Sequence, residues 1–238
     1  MTVAWEDPRI SRGMTAQLAR RGELINAGQK PLGWKLAFGG PLAMERLRTN
    51  APLVGFLMQH AIVPPGSTLS LSNWKKPAAE PEIAVHLGKN LPSGSARRTA
   101  MEAIAGLGPA IEVADVDHPS DDVEGTLASN IYQRHVILGR NDVTRAGGIL
   151  TGLTGRVLRN GTEISSTTDL EALTGELIDI VRSVADLLAV FGETLQSGQI
   201  IIAGSIIPPM WVEPGEDIVF DLTPGDTISI RFASESPV

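Results

Sequence analysis

Apolar positions between residues 11 and 28 recur at helical spacing. Met14, Leu18, Leu24 and Ile25 share a stripe and Gly28 stands where a stop is expected, which predicts an amphipathic helix. The stretch Pro-Leu-Gly-Trp-Lys-Leu-Ala-Phe-Gly-Gly (31–40) then reads as a short strand between glycine-rich loops, and 42–50 as a second short helix. From Gly55 onward the pattern changes to short apolar runs separated by Pro-Gly, Asn-Gly and Ser-Gly turns. It predicts strands near 61–63, 67–71, 80–87, 109–116, 135–138, 155–159, 162–166, 199–203, 217–222 and 227–232. Asn160-Gly161 suits the type I′ turn of a hairpin. Helix returns once at full strength, where Leu177, Ile180, Val181, Val184, Leu187, Leu188 and Phe191 form one stripe ending near Gly192. A shorter helix is predicted over 96–106. The expected fold is α+β: a strand-dominated core over 53–238 and a small helical cap segment over 1–52, together one structural unit.

The same period of two places chemistry. On a strand over 80–87, Glu80, Glu82, Ala84 and His86 share one face, while Ile83, Val85 and Leu87 take the other. Glu80 and Glu82 would then stand about 7 Å apart along the chain. Glu112 lies on a second predicted strand, on the face opposite Ile111 and Val113, with small Ala114 leaving room beside it. Three carboxylates from two strands suit a hard, oxygen-ligated cation, Mg²⁺ or Mn²⁺, rather than zinc. A polar strand entry at Glu80 and Glu82 and a half-exposed Glu112 fit the pattern too. Lys35, between Trp34 and Leu36, could be desolvated and move a proton, or could snorkel from a strand edge. Asn130, Tyr132, Gln133, Arg134 and His135 precede an apolar strand, where they could bind an anionic substrate or form an ordinary exposed loop. His86 and His118 read first as structural histidines.

Composition removes alternatives. A net charge of −7 argues against a nucleic-acid partner. No apolar run approaches the roughly 20 residues that span a bilayer, so no membrane partner is expected. The first ten residues carry acids where a signal peptide has its apolar segment, and the absence of cysteine excludes disulfides, thiol catalysis and Cys-based zinc sites. The expected location is cytoplasmic. Gly-Leu-Gly-Pro-Ala-Ile fails the dinucleotide fingerprint, and neither a phosphate loop nor a Gly-x-Ser-x-Gly elbow occurs.

Taken in order, these stretches resemble the fumarylacetoacetate hydrolase superfamily, in its branch of 2-keto-4-pentenoate hydratases and 4-oxalocrotonate decarboxylases. The matching pieces are Gly-Trp-Lys-Leu-Ala (33–37), Val-Pro-Pro-Gly-Ser-Thr-Leu-Ser-Leu (63–71), Glu-Pro-Glu-Ile-Ala-Val-His-Leu-Gly (80–88) and Pro-Ala-Ile-Glu-Val-Ala-Asp-Val-Asp (109–117). Further pieces are Thr126–Gly139, Gly155–Ile164 and Leu187–Ser205. The resemblance implies a β-roll-like core, usually in a homo-oligomer, and Glu80, Glu82 and Glu112 as ligands of a divalent metal. It implies Lys35 at the active site in proton transfer, and Asn130, Tyr132, Arg134 and Ser205 lining the substrate pocket. The implied activity is that of a metal-dependent lyase adding water to a small 2-hydroxydienoic or 2-oxo acid. Decarboxylation of 4-oxalocrotonate type, acylpyruvate-type C–C hydrolysis and a non-catalytic binding role are the alternatives. The hydrolase branch uses a His–Glu pair to activate water, and the first histidine here is His60. The chain departs from the family pattern at 129–134, where Ser129 replaces Asp, Tyr132 and Gln133 replace serines and Arg134 replaces Gly, and again over 165–175 and 205–210.

Overall fold

The computed structural model describes residues 4–235. A 3₁₀ turn (Ala4–Glu6) leads into helix α1 (Pro8–Asn26), which Asp7 caps by accepting from the Arg9 N–H. Strand β1 (Pro31–Ala37), helix α2 (Pro41–Leu47) and strand β2 (Leu53–Met58) follow. Next come β3 (Thr68–Ser70), β4 (Pro77–Leu87), α3 (Arg97–Ala103), β5 (Ile104–Asp115), α4 (Val123–Ala128) and β6 (Gln133–Leu138). The chain ends with the hairpin β7 (Thr154–Arg159) and β8 (Thr162–Thr167), α5 (Leu177–Val190), β9 (Ile200–Ser205), β10 (Met210–Trp211), β11 (Asp217–Thr223) and β12 (Asp226–Ala233).

Two sheets of an α+β fold result. One runs β2-β1-β9-β4-β5-β6, with β10 paired to β4; the other runs β3-β12-β11-β7-β8. The segment 1–52 enters the larger sheet through β1, which is antiparallel to β2 and parallel to β9. β1 and β9 approach closely at Gly33, where a Cβ would overlap the Ile200 backbone. The larger sheet curves into a half-barrel. Strands lie about 4.8 Å apart, so β1 and β5, three steps apart, would be ~14 Å from each other in a flat sheet. Lys35 on β1 nevertheless reaches Glu112 on β5 across the concave face. The floor of that face is a small apolar cluster of Leu57, Ala84, Ala110, Val136, Ile200 and Ile202. Among the described residues no helix is long and apolar enough to cross a membrane.

Several elements depart from the sequence expectation. Residues 61–63 form no strand: a 3₁₀ turn covers Gln59–Ala61, and Ile62 makes a single bridge to Val136. Pro64 and Pro65 follow at once and lack the N–H that a ladder needs. β2 was not expected, because Leu53–Met58 is buried throughout and shows no alternation. α4 and β10 were not expected either; they span six and two residues, too short for a period to register. The helix predicted over 96–106 stops at Ala103, where β5 begins. At the β7–β8 turn, φ is +51° at Asn160 and +74° at Gly161, as the type I′ reading requires.

Candidate metal and proton-transfer site

Pro81 interrupts β4 between Glu80 and Glu82, and it cannot donate to a neighbouring strand. The β4–β9 register slips just beyond it, between Glu82 and Ala84, opposite Gly204, whose φ is +95°. The bulge turns the Gly204 N–H away from the ladder and onto Glu82 Oε2 at 2.7 Å. On the other side of β4 the register with β5 is unbroken here, and it pairs Glu80 directly with Glu112. One carboxylate oxygen from each of Glu80, Glu82 and Glu112 lies within 4.8 Å of the other two.

Glu82 and Glu112 are fully buried and Glu80 half-buried. Lys35, 2% exposed, sets its Nζ 2.6 Å from Glu112 Oε1 and donates to the Ile131 carbonyl at 2.8 Å. Each buried carboxylate therefore has one oxygen engaged and one free. Glu82 Oε1 and Glu112 Oε2 have no hydrogen-bond partner. Leaving such atoms unpaired in a core is costly. A divalent cation among the three carboxylates would satisfy both, and the all-oxygen donor set suits Mg²⁺, Mn²⁺ or Ca²⁺.

Electrostatics agree. Burial, with the Glu112 charge adding to it, pushes the Glu80 carboxyl up to about 7, against the pull of Lys35. Burial likewise holds Glu82 well above the usual carboxylate range, helped by the charges of Glu112 and Glu80. Glu112 is also raised, because burial outweighs the charge and hydrogen bond of Lys35 and the close carboxyl of Glu82. All three carboxyls are raised, so protons and a divalent cation compete for the same oxygens.

The remaining predicted site residues make contacts of their own. Ser205 pairs in register with Glu82 and directs its hydroxyl to the Pro81 carbonyl at 3.3 Å. Asn130 is buried, and both ends of its amide are used: Oδ1 accepts from Phe56 N at 2.8 Å and Nδ2 donates to Phe56 O at 3.0 Å. Tyr132 packs its ring 4.5 Å from that of His118 and donates to the His118 carbonyl at 3.2 Å. Arg134 pairs with Asp117 at 3.0 Å. His118 is held on both ring nitrogens, by Asp117 at 2.7 Å and Ser129 at 3.3 Å. Burial pushes Asp117 up, but His118 and Arg134 outweigh it and hold that carboxyl low. His86 continues the Glu80–Glu82 face of β4, and burial lowers its pKa. Its Nε2 has no partner, as befits a neutral histidine lining the strand floor.

Sequence reasoning missed Gly204 and Gly55. Gly204 holds Glu82 and packs under Thr174, whose Cγ2 would lie 3.0 Å from a Cβ there. The stretch 165–175 thus reaches the end of β9 beside the site. The Pro81 break followed by an unplaced glycine bulge was the only available signal.

Comparison with known proteins identifies the family of the fold. The model of the fumarylacetoacetate (FAA) hydrolase C-terminal family matches residues 39–233. A 4-oxalocrotonate decarboxylase of Pseudomonas sp. is 26% identical over 198 residues, 80% of this chain and 74% of its own length. A 2-keto-4-pentenoate hydratase of Paraburkholderia xenovorans (strain LB400) is 25% identical over 233 residues, 97% of this chain and 86% of its own. Among solved structures, 4-oxalocrotonate decarboxylase from Pseudomonas putida G7, complexed with magnesium and adipate, superposes with a TM-score of 0.85 at 25% identity. That match covers 94% of this chain and 86% of the decarboxylase.

Proposed function

Because the chain belongs to the fumarylacetoacetate hydrolase family, we propose that it is a divalent-metal-dependent lyase that adds water to a small 2-hydroxydienoic or 2-oxo acid. The observation that carries this reading is the convergence of Glu80, Glu82 and Glu112 beside the Lys35 ammonium, two of the three carboxylates each keeping a buried oxygen, Glu82 Oε1 and Glu112 Oε2, without a hydrogen-bond partner. Glu80, Glu82 and Glu112 would hold the metal. A bound divalent cation supplies Lewis-acid stabilisation of the negative charge that develops on a 2-oxo oxygen. Lys35 holds a proton at Nζ, steadied by Glu112 and the Ile131 carbonyl, and passes it to or from the substrate. The apolar floor excludes water from the inner side of the carboxylates. In this reading Arg134, Tyr132 and Ser205 belong to the substrate pocket, with Arg134 the natural partner of a substrate carboxylate if it exchanges Asp117 for it.

Decarboxylation is the second reading, favoured by the close superposition on 4-oxalocrotonate decarboxylase. Both reactions place negative charge at the same oxygen, so the carboxylate centre does not choose between them. A cytoplasmic, homo-oligomeric enzyme with Mg²⁺ or Mn²⁺ completes the proposal. The test follows the dienol ultraviolet absorbance of 2-hydroxypenta-2,4-dienoate, and CO₂ release from 4-oxalocrotonate, with chelator-treated protein. Restoration of either signal by Mg²⁺ or Mn²⁺ is expected, and which one returns decides hydratase against decarboxylase. No turnover of either acid by metal-loaded protein would count against both.

A further inference from the structure

Asn130, Ile131 and Tyr132 form three consecutive non-glycine residues with left-handed backbone, at φ +65°, +50° and +62°. For a β-branched residue such as Ile131 this is a costly conformation, and strain of this kind persists only where its surroundings enforce it. Two features enforce it. Asn130 N donates to the Leu127 carbonyl at 2.9 Å, which continues α4 into the turn. The Asn130 amide then grips both backbone groups of Phe56. β2 is the edge strand of its sheet, so this side chain stands in for the missing neighbouring strand. The strained turn delivers the Ile131 carbonyl to Lys35 Nζ. On the opposite side, Gly55 pairs in register with Lys35. A Cβ there would come within 3.0 Å of Asn130 Oδ1, 3.1 Å of Lys35 Cγ and 3.2 Å of Lys35 Cε. The lysine stem therefore lies in a groove that exists only because residue 55 has no side chain.

We propose that Asn130 and Gly55 are positioning residues that fix the Lys35 ammonium between Glu112 and the Ile131 carbonyl, so that Asn130 acts through Lys35 and not on the substrate. This rests on the reading of Lys35 as the group that moves the proton. The clamp keeps a positive charge against a carboxylate that also faces the cation site. It thus trades metal affinity for a proton donor in a fixed place.

The test compares Asn130→Gly, which removes the clamp while tolerating the left-handed φ, and Gly55→Ala, with Lys35→Met as reference. Calorimetry with Mn²⁺ on chelator-treated full-length protein reads the metal site, and kcat and KM are measured on whichever acid is turned over. With the lysine misplaced, kcat falls by about 10²-fold, the usual contribution of a positioned acid or base, and KM stays within about threefold. Mn²⁺ binding stays equal or tightens toward that of Lys35→Met, because the ammonium no longer opposes the cation at Glu112. A merely structural clamp gives the opposite metal result: Mn²⁺ binding weakens as the site collapses, and that outcome overturns the proposal, as does an unchanged kcat. If the unsubstituted protein turns over none of the acids, the proposed activity fails, and the Mn²⁺ arm still decides the positioning role on its own. Should Gly55→Ala not fold, Asn130→Gly carries both readouts.

Discussion

Glu82 and Glu112 each give one oxygen to the protein and leave one free, so removing either charge should act on metal first. Glu82→Gln keeps the shape and an acceptor for Gly204 but places a neutral amide among the donors. Mn²⁺ affinity should fall by about tenfold or more, read by calorimetry; unchanged binding would remove Glu82 from the ligand set. Lys35→Met should lower kcat by about 10²-fold while leaving Mn²⁺ bound, read as steady-state turnover beside a metal titration. Strand alternation put Glu80 and Glu82 on one face and offered Glu112 as a third donor, and the ordered resemblance made ligands of them and brought Lys35 to the same site. The contacts of Asn130 were not legible. An asparagine before a strand looks the same whether its amide meets a substrate or the backbone of Phe56, 74 residues away.

At the scale of elements, two glycines decide how the strands hold the site. Gly204 stands at φ +95° under Thr174 and donates to Glu82. Gly204→Ala should cost about 1–3 kcal/mol of stability through its backbone conformation. It should also weaken Mn²⁺ binding, both effects being read by chemical denaturation and calorimetry. Gly33→Ala should be more damaging, about 3 kcal/mol or more, because its Cβ would overlap the Ile200 backbone and part β1 from β9. If Gly33→Ala leaves the denaturation midpoint unmoved, the close approach of β1 to β9 is wrong. Strands with alternation or clear turn punctuation, such as β7 and β8, were legible. β2 was hidden by its uniform burial, and the 61–63 run was misleading because Pro64 and Pro65 cannot donate, so pairing ends with the bond from Val63 N–H to the Val136 carbonyl.

For the whole molecule, the buried acids couple folding to pH and metal. Their folded pKa values lie above the ordinary 4.5, with Glu80 at about 7. Between 4.5 and about 7 Glu80 holds a proton in the folded metal-free protein that the unfolded chain has released, so its contribution is fully present below pH 4.5 and is lost as pH rises through about 7. A divalent cation replaces those protons. Its stabilisation, about 2.7 kcal/mol at 100 times Kd, should therefore grow with pH, and the rise in Tm on adding Mg²⁺ should be larger at pH 8 than at pH 5.5. An equal rise at both values would separate the cation from these carboxylates. The overall α+β class was legible, but the curvature of the larger sheet was not. That curvature brings β1 to β5 and makes one site of Lys35 and Glu112, residues 77 positions apart. The most direct measurement of the central claim is an anomalous difference map from a crystal soaked in Mn²⁺. One peak is predicted among Glu80, Glu82 and Glu112, within bonding distance of a carboxylate oxygen of each. A map with no peak there, or with its only peak elsewhere, would contradict it.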